Sequence, residues 1–79
     1  MDYDPAKFHS GDHVRVADIA ALEVFARTWT LHHLLQPFQM QFAAHTATVS
    51  RSFMYHGGDI LYELEGIPGI WQESLLSAA

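Results

Sequence analysis

Apolar and polar residues alternate most regularly in the second half of the chain. Alternation with a period of two is typical of half-buried strands. The apolar positions of the first run are Ala47, Val49, Phe53 and Tyr55, and those of the second are Ile60, Tyr62 and Leu64. Pro68-Gly69 then predicts a turn, followed by a short strand over residues 70–73 and a closing 3₁₀ turn over residues 74–76. The pattern therefore predicts a β-meander over residues 45–76.

The turn between the first two strands of this meander carries two adjacent glycines, Gly57 and Gly58. Glycine adopts positive φ angles without steric cost, and a tight two-residue hairpin requires such angles. We therefore predict a two-residue hairpin in which Tyr55 lies opposite Ile60. Arg51 interrupts the alternation, because its parity points the side chain inward. Either Arg51 lies at a rim with its stem buried, or a β-bulge lies nearby.

The chain begins with a polar stretch that contains Pro5. We expect residues 1–10 to form a flexible, loosely held arm. Gly11-Asp12 then predicts a turn that leads into a strand, in which Val14 and Val16 point to the same side.

A helical pattern follows this first strand. Residues 18–35 contain no glycine or proline, and their apolar residues recur at helical spacing from Leu22 onward. Asp18 is a favourable N-cap for this helix. Pro37 should end the helix and can begin a second, short one. The sequence therefore predicts a helical insertion over residues 18–44.

Together these elements predict a mainly β fold with inserted helices, of the α+β class. We expect residues 1–79 to form a single domain, a small SH3-like antiparallel barrel of four or five strands with the helical insertion after strand 1. The helices should cover an open side of this barrel. The alternative is an α+β sandwich of the same elements without closure.

Composition restricts the partners and the location that we expect. The formal net charge is −5, and only four residues are lysine or arginine. Binding to phosphate backbones requires clustered basic side chains, so we expect no nucleic-acid partner. The absence of cysteine excludes disulfides and thiolate metal sites. The N-terminal residues do not resemble a signal peptide, and no apolar run approaches the roughly 20 residues of a membrane span. We therefore expect a cytoplasmic protein that does not contact membranes.

Three short motifs lie towards the two ends of the chain: Gly-Asp-x-Val-Arg-Val, Leu-Tyr-x-Leu and Ile-Trp-x-Glu-x-x-Leu. The residues concerned are Gly11, Asp12, Val14, Arg15, Val16, Leu61, Tyr62, Trp71, Glu73 and Leu76. In this framework the chain resembles the small Src-homology-type barrels of the nitrile hydratase β subunit and its accessory proteins. Residues 18–44 have no counterpart in that pattern. The resemblance implies a subunit or accessory role beside a metalloenzyme. It does not imply catalysis by this chain, because in that family the metal ligands lie on another subunit.

Histidine is the residue type whose number stands out, since the chain contains six. Imidazole nitrogens bind zinc, copper, iron and nickel. We consider a divalent metal site formed by His32 or His33 with His45. On a helix, His32 and His33 would point about 100° apart, so only one of them would face such a site. The alternative is a set of surface and rim histidines. No pattern in the sequence requires a cofactor, and a divalent metal is the one that these side chains would accept.

Aromatic residues indicate a surface for a protein partner. A barrel of this size cannot enclose every ring, and aromatic side chains concentrate at interface hot spots. The candidate surface residues are Trp71, Tyr55, Trp29 and Phe38. The alternative for Trp71 is a place in the centre of the barrel core.

No catalytic constellation is visible in the sequence. The serines lie in no nucleophile-elbow pattern, and the carboxylates of Asp59, Glu63 and Glu65 fit a solvated strand face. We therefore predict a non-catalytic protein-interaction or accessory module with a protein partner or a homo-oligomeric state. It would serve as an assembly partner or small subunit of a metalloenzyme such as a nitrile-hydratase-like enzyme. The alternative is a protein that binds a metal or a small ligand through its histidines.

Overall fold

Five antiparallel strands and three short helical elements make up residues 4–79, the part of the chain that the structure, a computed structural model, describes. The strands are β1 (His13–Val16), β2 (Thr46–Met54), β3 (Ile60–Leu64), β4 (Ile67–Gln72) and β5 (Leu76–Ala78). The helical elements are α1 (Ile19–Thr28), a first 3₁₀ helix (Pro37–Phe42) and a second 3₁₀ helix (Glu73–Leu75). The sheet order is β4-β3-β2-β1-β5. The predicted mainly β fold with helices inserted after strand 1 is confirmed, as an open sheet with β4 and β5 at its edges.

The hairpin between β2 and β3 forms at the predicted place but with a different register. Met54, not Tyr55, lies opposite Ile60. The Tyr55 N–H donates to the Asp59 carbonyl at 2.8 Å, and the Gly58 N–H donates to the Tyr55 carbonyl at 3.0 Å. The loop therefore contains three residues, and the predicted two-residue turn is wrong by one. Gly57 is the third residue of the turn and has φ 93°, as a type II turn requires.

The register shifts between Val49 and Arg51, as at a β-bulge. Ser52 consequently lies opposite Tyr62, and the Arg51 side chain points to the solvent. Its Nε donates to Glu63 Oε1 at 2.8 Å. Of the two interpretations of Arg51, the bulge is the one that the pairing supports.

Helix α1 starts where the sequence indicates and ends earlier than expected. The Asp18 carboxylate accepts the Ala21 N–H at 2.9 Å, which caps the first turn. The helix ends at Thr28, and Trp29 already has an extended backbone. The expected continuation to residue 35 is wrong. Residues 29–36 form bends and extended stretches, because their aromatic side chains pack against the β2–β3 loop.

The main core lies on one face of the sheet. Its strand residues occupy alternating positions: Val14, Val16, Val49, Ile60, Tyr62, Leu64, Ile67, Trp71 and Leu76. Tyr62 and Trp71 face each other across β3 and β4, and both are fully buried. Helix α1 contributes one buried side chain, Leu22. Alternation is the sequence signal for a half-buried strand, so most of the core residues in the second half of the chain can be predicted from sequence.

The residues before β1 are attached to the core. Phe8 is buried, although it lies within the arm predicted over residues 1–10. The Tyr62 hydroxyl accepts the N–H groups of Lys7 and Phe8 at 3.1 Å each, and donates to Glu73 at 2.6 Å. Residues 1–3 of the predicted arm lie outside the described residues. The second half of the arm is therefore held by the core.

The opposite face of β3 and β4 is also covered. Leu61 and Gln72 face each other on this side, and both are buried. The insertion contacts both ends of this region, through His32 at the β2–β3 loop and through Gln39 at β4. The Gln39 side chain donates to the Ile70 carbonyl at 3.1 Å. The insertion is therefore tied to the β2–β3 loop and to β4, and its Gln39 side chain satisfies a carbonyl of this edge strand.

Candidate functional site

An aromatic cluster joins the insertion to the β2–β3 loop. It consists of Phe25, Trp29, His32, His33 and Tyr55. Trp29 stacks on Phe25 with ring centroids 5.6 Å apart and meets His32 edge-on at 5.3 Å. His32 stacks on Tyr55 with centroids 3.9 Å apart. His33 meets both His32 and Tyr55 edge-on at 5.0 Å. These contacts fix the insertion on the loop, which explains why α1 ends before them.

The backbone of this segment is constrained at His33. Its φ is 50°, in the left-handed region that residues with a side chain adopt at a steric cost. The Trp29 indole N–H donates to the His32 carbonyl three residues later, which closes the segment into a tight turn. This geometry brings two consecutive imidazoles together. Strained backbone of this kind concentrates at functional sites.

A polar chain runs through the cluster from Asp59 to His33. His32 Nε2 lies 2.6 Å from Asp59 Oδ2, and His32 Nδ1 lies 2.8 Å from His33 Nδ1. An ionised carboxylate only accepts hydrogen bonds, so the His32 Nε2–H is the donor to Asp59. In neutral His32 the Nδ1 atom then carries a lone pair, which accepts the His33 Nδ1–H. Asp59 thereby determines the tautomer of His32.

A groove of about 290 Å³ adjoins the aromatic cluster. Its walls are α1 and Trp29, the start of β3, and the second 3₁₀ helix. The lining residues are Phe25, Trp29, Gly58, Asp59, Ile60, Gln72, Glu73 and Ser74. Two of them, Asp59 and Glu73, bear carboxylates, and none is basic. The groove is therefore aromatic on one side and acidic at its rim.

The four residues predicted for a partner surface are distributed over different environments. Trp71 is fully buried, which makes it a core residue and corrects its assignment to a surface. Tyr55 and Trp29 lie in the aromatic cluster, and Trp29 lines the groove. Phe38 is 41% exposed but lies elsewhere, against Gly69 of β4. The structure therefore brings together Trp29 and Tyr55 only.

The predicted metal ligands also separate into two groups. His32 and His33 are adjacent, whereas the His45 ring meets Phe42 edge-on and its Nδ1 lies 3.2 Å from the Ala43 carbonyl. Across residues 4–79, no group of three histidine, cysteine, aspartate or glutamate side chains is arranged to hold a metal ion. Any site at His32 and His33 would therefore draw on partners other than His45.

Sequence reasoning missed the role of Asp59 and Phe25. Asp59 was assigned to a solvated strand face, yet it reaches His32 from 27 positions away in the chain. No local pattern predicts such a contact, because it depends on where the irregular segment after α1 crosses the sheet. Phe25 belongs to the helical apolar pattern that begins at Leu22, and in the structure it stacks on Trp29 in the groove wall.

Comparisons with protein-family models, with curated proteins and with solved structures each returned no match for this chain. In the described part of the chain, no helix has the length and apolar character needed to cross a membrane.

Proposed function

We propose that this chain is a non-catalytic protein-interaction module with an SH3-like arrangement of strands, and that it binds an extended peptide segment of a partner protein. The observation that carries the proposal is the groove between α1, the β2–β3 loop and the second 3₁₀ helix. It combines stacked aromatic rings with two carboxylates.

The connection between the edge strands supports the SH3-like part of the proposal. β4 and β5 lie at opposite edges of the sheet but are joined by only three residues, Glu73–Leu75. The Cα atoms of Gln72 and Leu76 are four residues apart along the chain, so they lie at most about 13–14 Å from each other. Five flat strands would place the edges about 19 Å apart, at about 4.8 Å per strand pair. A curled sheet whose edges approach each other, as in a small barrel, fits this short connection.

The lining of the groove indicates the chemistry of its ligand. Aromatic-lined grooves bind proline-rich segments, since a polyproline II segment is already extended and loses little entropy on binding. Asp59 and Glu73 favour a basic side chain at one end of such a segment. The net charge of −5 attracts basic peptides in the same way. The expected ligand is a proline-containing peptide with a flanking arginine or lysine.

The test is a titration with synthetic proline-rich peptides, followed by backbone amide NMR. One peptide carries a flanking arginine, and its matched counterpart carries glutamate at that position. We expect the arginine peptide to shift amides of Trp29, Asp59 and Ser74, and the glutamate peptide to bind at least about tenfold more weakly. Shifts that lie outside the groove, or equal affinities for the two peptides, would contradict the proposal.

Two exposed serines provide a matched pair of variants. Ser74 lines the groove, whereas Ser77 lies on β5 outside it. Ser74→Arg should obstruct the groove and repel a basic ligand, so that binding of the arginine peptide is lost. Ser77→Arg makes the same change in charge and should leave the affinity unchanged. Equal effects of the two substitutions would show that net charge alone governs binding.

The sequence resemblance extends the proposal to a class of partner. It suggests that the peptide belongs to a nitrile-hydratase-like metalloenzyme, which the chain would serve as an assembly partner or small subunit. A homo-oligomer is the alternative, supported by the apolar side chains of Ile19 and Val24 of α1, which are 48% and 49% exposed. Light scattering of the purified protein separates these states, because a monomeric mass would argue against self-association.

A further inference from the structure

The geometry points to a divalent transition-metal site at His32 and His33, with Asp59 as the carboxylate that orients His32. The inference goes beyond the interaction function, and it replaces the pairing with His45 expected from the sequence. Its basis is the convergence of two imidazoles on a strained turn, with a carboxylate behind one of them.

The first requirement of a metal ligand is a free lone pair directed at the metal. Because His32 donates its Nε2–H to Asp59, its Nδ1 lone pair points towards His33 Nδ1, 2.8 Å away. Histidine ligands usually donate their other ring N–H to a carboxylate or a carbonyl, which fixes the tautomer and raises the basicity of the ligand. Asp59 and His32 already have this relation. His33 must transfer its proton from Nδ1 to Nε2, which frees its Nδ1 lone pair for a metal.

The second requirement is a distance that a metal can bridge. Zinc at about 2.0–2.1 Å from each nitrogen, in tetrahedral geometry, places two ligands about 3.3 Å apart. The two Nδ1 atoms would therefore separate by about 0.5 Å from their present 2.8 Å. Stacking on Tyr55 holds His32, whose side chain is only 15% exposed. His33 is the ring that moves, and it must also turn so that its Nδ1 lone pair points at the metal.

The donor set determines the class of metal. Two neutral imidazoles suit zinc, nickel and copper, whereas calcium and magnesium prefer oxygen ligands. Since the described residues offer no third side-chain ligand at this place, the remaining positions are open to water or to a donor from a bound molecule. The left-handed backbone at His33 lies at one of the two proposed ligands, and strained backbone concentrates at functional sites.

The experiment is a zinc titration of the full chain, followed by NMR of the imidazole nitrogens. Binding should shift Nδ1 of both His32 and His33, and leave the nitrogens of His45 unchanged. His33→Ala should weaken zinc binding at least about tenfold, and Asp59→Asn should weaken it about 10–100-fold, the usual effect of removing an orienting carboxylate. His45→Ala is the matched control, since it removes an exposed imidazole elsewhere, and it should have no effect.

Three results would overturn the inference. The first is the absence of any Nδ1 shift at millimolar zinc in the unaltered protein, a measurement that does not depend on whether a variant folds. The second is coordination through Nε2 of either ring. The third is an equal loss of affinity in His45→Ala and His33→Ala, which would indicate scattered, nonspecific binding.

Discussion

The Tyr62 hydroxyl accepts the backbone N–H groups of Lys7 and Phe8 and donates to the Glu73 carboxylate. Tyr62→Phe removes all three hydrogen bonds. The Lys7 N–H keeps Glu73 as an acceptor at 2.9 Å, so the buried Phe8 N–H is the group left without a partner. We expect the free energy of unfolding to fall by about 1–3 kcal/mol at neutral pH. Chemical denaturation measures this free energy. An unchanged midpoint would show that the hydrogen bonds of the hydroxyl to the N-terminal residues do not contribute to stability.

The same hydroxyl makes the free energy of unfolding depend on pH in the alkaline range. Burial, together with the hydrogen bond to Glu73, raises the pKa of Tyr62 to about 12. In the unfolded chain a tyrosine titrates near pH 10, so between about pH 10 and 12 the unfolded state binds fewer protons than the folded state. The contribution of Tyr62 is therefore complete below pH 10 and is lost as the pH rises through 12. The stability difference between the unaltered protein and Tyr62→Phe should narrow over this range, in a denaturation series from pH 8 upwards.

At the scale of elements, two buried glutamines near the edge strand β4 differ in whether their side-chain amides are hydrogen-bonded. The Gln39 amide donates to the Ile70 carbonyl, and its Oε1 accepts the Gln36 N–H at 2.8 Å. The Gln72 Nε2 is buried and has no hydrogen-bond partner among residues 4–79. Gln39→Met should lower the free energy of unfolding by about 1–3 kcal/mol, whereas Gln72→Met should raise it by about 1 kcal/mol. Chemical denaturation measures the free energy of unfolding of both variants. A change in the same direction for the two variants would refute this account of the two amides.

The elements also show which parts of the fold the sequence can predict. The alternating strands β2 and β3 and the Asp18 cap were predicted, because alternation and capping are local signals. The turn predicted at Pro68-Gly69 is wrong: both residues lie within β4 (Ile67–Gln72), and the chain turns at Glu65-Gly66 instead. Pro68 is tolerated in this strand because β4 is at the edge of the sheet. The hairpin register was wrong by one residue, because it depends on the length and type of the loop. The end of α1 was also wrong. Helical spacing continues beyond Thr28, but ring packing on Tyr55 outweighs the weak intrinsic preference for helix.

At the scale of the whole molecule, the candidate site was only partly predictable. Composition drew attention to His32 and His33, and the surplus of aromatic residues drew attention to Trp29 and Tyr55. The partner that organises them, Asp59, became evident only from the fold. The two halves of the site come from segments whose contact is set by how the insertion crosses the sheet, and a single sequence contains no signal for such a crossing.

Local stability should differ between the sheet and the insertion. Helix α1 buries only Leu22, whereas β3 buries four of its five side chains. We therefore expect native-state hydrogen exchange to show α1 and residues 29–36 opening at a lower free energy than β3.

His32→Ala removes the contact with Asp59 and Tyr55, so it should speed exchange in residues 29–36 and leave the amides of β3 unchanged. His45→Ala, which removes an imidazole outside the cluster, should change neither region. Exchange of α1 and β3 at one common free energy would mean that the insertion and the sheet unfold as a single cooperative unit, and that the contact of His32 with the loop is not what holds the insertion in place.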